Sequence, residues 1–91
     1  MTYTICYSKI AVKDIENLRA AKLDKKARAL IEMLRVNPFQ NPPPFEKLIG
    51  NLCGLCSRRI NARHRLVYEV FEAEKTVRIE RMWTHYEGFA D

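Results

Sequence analysis

The sequence predicts an α+β fold: an N-terminal strand, two helices, then antiparallel strands forming a twisted sheet on which the helices pack. Three observations predict it. Tyr3, Ile5 and Tyr7 alternate with Thr4, Cys6 and Ser8, the period of a half-buried strand. Ala27, Leu30, Ile31 and Leu34 recur at i, i+3, i+4 and i+7, the period of an amphipathic helix. After Gly54 the period returns to two, in runs joined by links too short for anything but antiparallel hairpins.

Taken in order, the first strand gives way at Lys9 to a helix reaching about Ala21. Ala11, Ile15 and Leu18 form its apolar side, with Lys13, Asp14, Glu16 and Arg19 expected opposite. Asp24 is placed to cap the second helix, and Asn37-Pro38 ends it, because a residue before proline is driven out of the helical region. Lys25, Lys26, Arg28 and Arg35 point outward from that helix, an ordinary solvated face that together extends a basic surface. Four prolines between Pro38 and Pro44 predict an extended, stiff connection leading into Phe45-Glu46-Lys47-Leu48. Leu55–Ile60, Arg65–Phe71 and Val77–Trp83 are the remaining strands. In the second of these, Leu66, Tyr68 and Val70 form one stripe and Arg65, Val67, Glu69 and Phe71 the other. With helices on one face of the sheet, the other face is left for function.

The chain has 91 residues, 47% hydrophobic and 30% charged, which predicts a single globular domain over 1–91. No apolar run approaches the ~20 residues of a membrane span, and the N-terminus lacks the pattern of a signal peptide, so no membrane association and a cytoplasmic location are expected. Sixteen basic residues against eleven acidic give a net charge of +5, which suits a polyanionic partner such as nucleic acid. Cys53-Gly54-Leu55-Cys56 has the C-x-x-C spacing. Two further ligands at zinc spacing are missing, since His64 and His85 are too far apart in sequence to form a pair. A strand also follows the motif where a redox site would have a helix, so no metal or cofactor is expected.

The basic stretch Ser57-Arg58-Arg59-Ile60 … His64-Arg65-Leu66-Val67-Tyr68 puts arginines on strands, with His85-Tyr86 following the last strand. Which arginine shares a face with Arg65 depends on the turn. A four-residue loop selects Arg58 and a three-residue loop with a bulge selects Arg59, because a one-residue slip flips every side chain. Both remain open from the residues alone. Arg63 and His64 fall in that turn, where solvent exposure is the plain reading and contact with RNA phosphate the functional one. Trp83 reads as packing.

From Asn37-Pro38-Phe39 through Glu46, Leu48, Asn51-Leu52, Gly54, S-R-R-I and H-R-L-V-Y to His85-Tyr86, the sequence resembles the Txe/YoeB toxins of bacterial toxin–antitoxin modules, within the RelE/ParE superfamily. The resemblance implies a compact, microbial-ribonuclease-like fold. It also implies an endoribonuclease that cuts mRNA in the ribosomal A site without metal, and a neutralising antitoxin of the YefM/Axe type. The toxin's partners are then the ribosome and mRNA, and monomer and homodimer are both left open. Residue by residue, Glu46 matches the family's general base, His85 its general acid and Arg65 the residue stabilising charge on the scissile phosphate. Arg59 and Tyr86 match further active-site positions, and the family favours Arg59 over Arg58. Cys56, where related toxins often have tryptophan, Ile49, where some carry lysine, and the extension Glu87–Asp91 depart from the pattern.

These residue types suit the chemistry in their own right. RNA cleavage without metal uses the substrate's 2′-OH as nucleophile and needs a base, an acid for the departing 5′-oxygen and a cation for phosphorus. An arginine fork holds two phosphate oxygens at once. Tyr86 is suited to stack on an unpaired base. Two alternatives carry no catalysis: a ParE-like toxin that binds a protein such as DNA gyrase, and a basic nucleic-acid-binding module. Glu46 with His85 argues against the first, since a pure binder has no use for an acid–base pair, whereas composition alone would allow the second.

Overall fold

The computed structural model describes residues 2–47 and 55–83. Its elements run β1 (Thr4–Tyr7), α1 (Lys9–Ala20), α2 (Asp24–Val36), β2 (Phe45–Lys47), β3 (Leu55–Arg59), β4 (Arg65–Phe71) and β5 (Thr76–Arg81). The strands form one sheet in the order β1-β5-β4-β3-β2, so the fold is α+β with both helices against one face of the sheet. β2 to β5 are antiparallel neighbours, whereas β1 lies parallel to β5 at the far edge. The sheet is therefore mixed, and its first strand adds beside its last. The two helices carry the chain from β1 to β2 at the opposite edge, and the parallel partner of β1 is reached only after β2, β3 and β4.

Ser8 caps α1: its hydroxyl accepts from Ala11 N at 3.0 Å and donates to Glu80 O at 2.7 Å, fastening the helix start to β5. At the other end Leu23 N reaches back to Leu18 O and Lys22 N to Arg19 O, with Lys22 in the left-handed region at φ 61°. α2 starts without a side-chain cap. Leu23 holds the cap position and Asp24, expected there, is the first helical residue, where its carboxylate faces the positive end of the helix dipole.

Ala11 and Leu18 of α1, Ala27, Ile31 and Leu34 of α2, and Ile60, Leu66, Tyr68, Val77, Ile79 and Met82 from the sheet side make the core. Asp14, expected among the outward residues of α1, is instead buried at 5% exposure. Its carboxylate accepts from Met82 N (2.9 Å) and Trp83 N (3.2 Å), satisfying backbone donors just past the end of β5. A register shift between Val67 and Tyr68 sets Val67 opposite Arg81 and Tyr68 opposite Ile79, a bulge that re-aims the end of β5.

Candidate active site on the sheet face

The hairpin between β3 and β4 decides which arginine joins Arg65. The Asn61 side-chain oxygen accepts from Arg63 N and His64 N at 2.9 and 2.8 Å, a local turn typical of asparagine. The His64 carbonyl accepts from both Ile60 N and Asn61 N, so Asn61, Ala62 and Arg63 form a three-residue loop. Arg59 then pairs directly with Arg65, and Arg58 pairs with Leu66 on the helix-covered face. Like charges placed opposite each other on neighbouring strands repel. An anion bound between Arg59 and Arg65 would turn that repulsion into two attractions.

The short strand β2 brings the carboxylate. Glu46 pairs with Ser57 across the β2–β3 ladder, which puts both on the same face as Arg59 and Arg65. Arg65 Nε donates to Ser57 Oγ at 2.5 Å, and its Nη2 donates to Glu46 Oε1 at 3.3 Å. The Arg65 side chain is 11% exposed and that of Glu46 is 53% exposed. A half-exposed pair of this kind adds little to stability. Its consequence is orientation: the buried Ser57 hydroxyl and the carboxylate together fix the plane of the guanidinium. A cleft of about 530 Å³ opens beside the pair, lined by Glu46, Arg59, Arg65, Pro43 and Pro44, with Lys26 reaching in from α2.

Arg58, a candidate for RNA contact from sequence, lies elsewhere. It has no exposed surface and sits on the core face. Nε donates to Tyr68 Oη (3.1 Å), Nη1 to Pro43 O (2.7 Å), and Nη2 to both Pro38 O (3.1 Å) and Gln40 O (2.8 Å). The guanidinium also lies over the Phe45 ring, 4.6 Å from its centre. The proline segment, expected to run extended, turns at Asn37–Gln40 and curls round this charge. Tyr68 donates to Pro38 O at 2.8 Å, and burial pushes its phenol up to about 12.

Arg63 is exposed, as the plain reading expected. His64 is half-buried, its ring stacked on Trp83 at 3.8 Å and 15°. Cys56 is buried and its thiol is pushed up by desolvation, the behaviour of an inert structural cysteine. Among the described residues no three His, Cys, Asp or Glu side chains gather as a metal site. No described helix is long and apolar enough to cross a membrane. Ile49, Cys53, His85, Tyr86 and residues 87–91 lie outside the described residues.

Two contributors went unread in the sequence. Ser57 stands in the sequence only as part of a motif, and its role depends on the register that also selects Arg59. Lys26 was one of several outward lysines, and only the docking of α2 beside the β3–β4 hairpin singles it out.

A family model described as the YoeB-like toxin of bacterial type II toxin-antitoxin system matches residues 7–86. The chain belongs to this family. Toxin YoeB of Synechocystis is 39% identical over 66 residues, covering 72% of this chain and 74% of that protein. Toxin YoeB of Escherichia coli K12 is 45% identical over 49 residues, covering 54% and 58% respectively. Among solved structures, the YoeB/ParE toxin from Agrobacterium tumefaciens superposes with a TM-score of 0.82 at 28% identity, over 91% of this chain and 99% of its own. The toxin of the YoeB–YefM complex from Staphylococcus aureus superposes at 0.76 and 33% identity, over 92% and 98%.

Proposed function

We propose that this toxin is a ribosome-dependent mRNA endoribonuclease that cleaves in the ribosomal A site and so inhibits translation. The observation that carries the reading is the Arg65–Glu46 contact at 3.3 Å on the sheet face away from the helices, with Arg59 directly across from Arg65. Family membership supports it, because YoeB-family toxins are endoribonucleases. An antitoxin of the YefM type is the proposed neutralising partner, as in the Staphylococcus aureus complex. A dimer has been solved for the toxin of that organism, which makes a homodimer a state to test here.

In the proposed reaction the scissile phosphate enters between Arg59 and Arg65 and competes with Glu46 for the Arg65 fork. Glu46, released from part of that contact, accepts the proton of the 2′-OH. The 2′-oxygen attacks phosphorus while the bond to the 5′-oxygen breaks, leaving a 2′,3′-cyclic phosphate and a 5′-hydroxyl. His85 supplies the proton to the departing 5′-oxygen, and Tyr86 stacks on a base. The two arginines offset the charge that grows on the phosphoryl oxygens.

The test compares one mRNA, free and loaded on programmed ribosomes, incubated with the wild-type toxin and Arg65→Met. Cleavage of the loaded mRNA only, slowed roughly 10²–10³-fold by the substitution, is the expected result. Equal cleavage by both proteins would remove Arg65 from the mechanism. Intact mRNA accompanied by arrest of growth in cells would favour a toxin that binds a protein target.

A further inference from the structure

Arg58 is the largest fully buried side chain, and among the described residues no carboxylate pairs with it. Burying a guanidinium is costly unless its donors are met. Here each of the three nitrogens has an acceptor, from one phenol and three main-chain carbonyls. All three carbonyls, of Pro38, Gln40 and Pro43, belong to the segment that leads into Glu46. That segment has no helix or strand of its own, and β2, which follows it, is three residues long. A strand so short cannot hold a side chain in place by its ladder alone. The guanidinium also covers Phe45, the residue before Glu46 and the cross-strand partner of Arg58. Tyr68 Oη closes the arrangement by accepting from Arg58 and donating to Pro38 O.

We propose that Arg58 is a positioning residue that acts through Glu46: from behind the sheet it fixes the proline segment and Phe45, and so the place of the carboxylate in front. Neighbouring positions of one strand thus divide the work, with Arg59 facing the cleft and Arg58 holding the segment that forms its wall. The inference rests on the proposed role of Glu46 as base. A displacement of about 1 Å in a reacting group can cost on the order of 10²-fold in rate. Removal of Arg58 is therefore expected to lower kcat roughly 10–100-fold, with KM for the loaded mRNA unchanged.

The test is a double-substitution cycle in the ribosome-programmed cleavage assay, run well below the melting temperature of every variant. It compares wild type, Arg58→Met, Glu46→Gln and the double variant. Tyr68→Phe, which removes only the bridging hydroxyl, takes the place of Arg58→Met if that protein does not fold. The expected result is a large fall in kcat on the wild-type background and a change within about twofold on the Glu46→Gln background, since residues acting as one unit are not additive. A general loss of folded protein would lower both backgrounds by the same factor, and that result overturns the positioning role while leaving Glu46 as base. Cleavage by Glu46→Gln at the wild-type rate would instead overturn the base assignment, and the positioning role with it. A rise in KM without a fall in kcat would show that Arg58 acts on substrate binding and also overturns the inference.

Discussion

Replacing Asp14 by alanine should destabilise the protein far more than removal of a helix-surface carboxylate would. The carboxylate is 5% exposed and accepts from Met82 N at 2.9 Å and Trp83 N at 3.2 Å, with Arg81 Nε at 3.9 Å. Alanine leaves two backbone donors without that acceptor, and an unsatisfied buried donor costs about 1–3 kcal/mol. Part of this is offset because a charge no longer has to be desolvated. The net loss should be about 2–4 kcal/mol, or roughly 10–25 °C in Tm for a domain of this size. Asp14→Asn, which retains one acceptor oxygen, should lose about half as much. Paired urea and thermal melts measure both. A change below about 1 kcal/mol for Asp14→Ala would mean that the carboxylate behaves as a surface group and does not hold the end of β5, because surface substitutions typically stay within ±0.5 kcal/mol.

Two further outcomes follow from the same structure. The buried Tyr68 phenol is pushed up to about 12 from an ordinary value of 10.0. A raised folded-state pKa means that its contribution to stability is complete below pH 10 and is lost as pH rises towards 12. Wild type should therefore lose stability more steeply than Tyr68→Phe across that window, by up to about 1.4 kcal/mol per pH unit, and parallel curves from denaturant melts would contradict this. Arg59 is exposed and faces the cleft, so Arg59→Ala should weaken binding of single-stranded RNA. It should also flatten the salt dependence of Kd by about 0.7 in log–log slope, as read by fluorescence anisotropy; an unchanged slope would mean that Arg59 meets no phosphate.

Periodicity exposed those parts of the fold in which one stripe of side chains is buried. The i, i+3, i+4, i+7 pattern located α2, and the alternation of β4 separated Leu66 and Tyr68 from Arg65 and Val67, as the structure has them. What periodicity could not show depended on distant partners. β1 pairs parallel to β5 across most of the chain, and nothing local announces that neighbour. Asp14 looks like a surface residue until the end of β5 supplies two donors to it. β2 is too short to show alternation and exists because β3 offers it a partner.

The candidate site divides in the same way. The family resemblance singled out Glu46, Arg65 and Arg59, which the residues alone left open, and the fold brings these three to one face. The choice between Arg58 and Arg59 needed the count of residues in the turn, which the Asn61 side chain sets. Once that count is known, Arg58 passes from a candidate for RNA contact to the centre of the proline segment. The proline run itself suggested stiffness but gave no sign that it would wrap a buried cation.

Glu46 and His85 are proposed as the base and acid of an mRNA nuclease. The most direct measurement is to add the protein to a translating extract and map mRNA ends, alongside Glu46→Ala and His85→Ala. Cuts at A-site codons are expected with wild type, and their loss, by roughly 10²-fold or more, with either substitution. Cuts that persist unchanged in both variants, or intact mRNA with translation still arrested, would contradict that assignment.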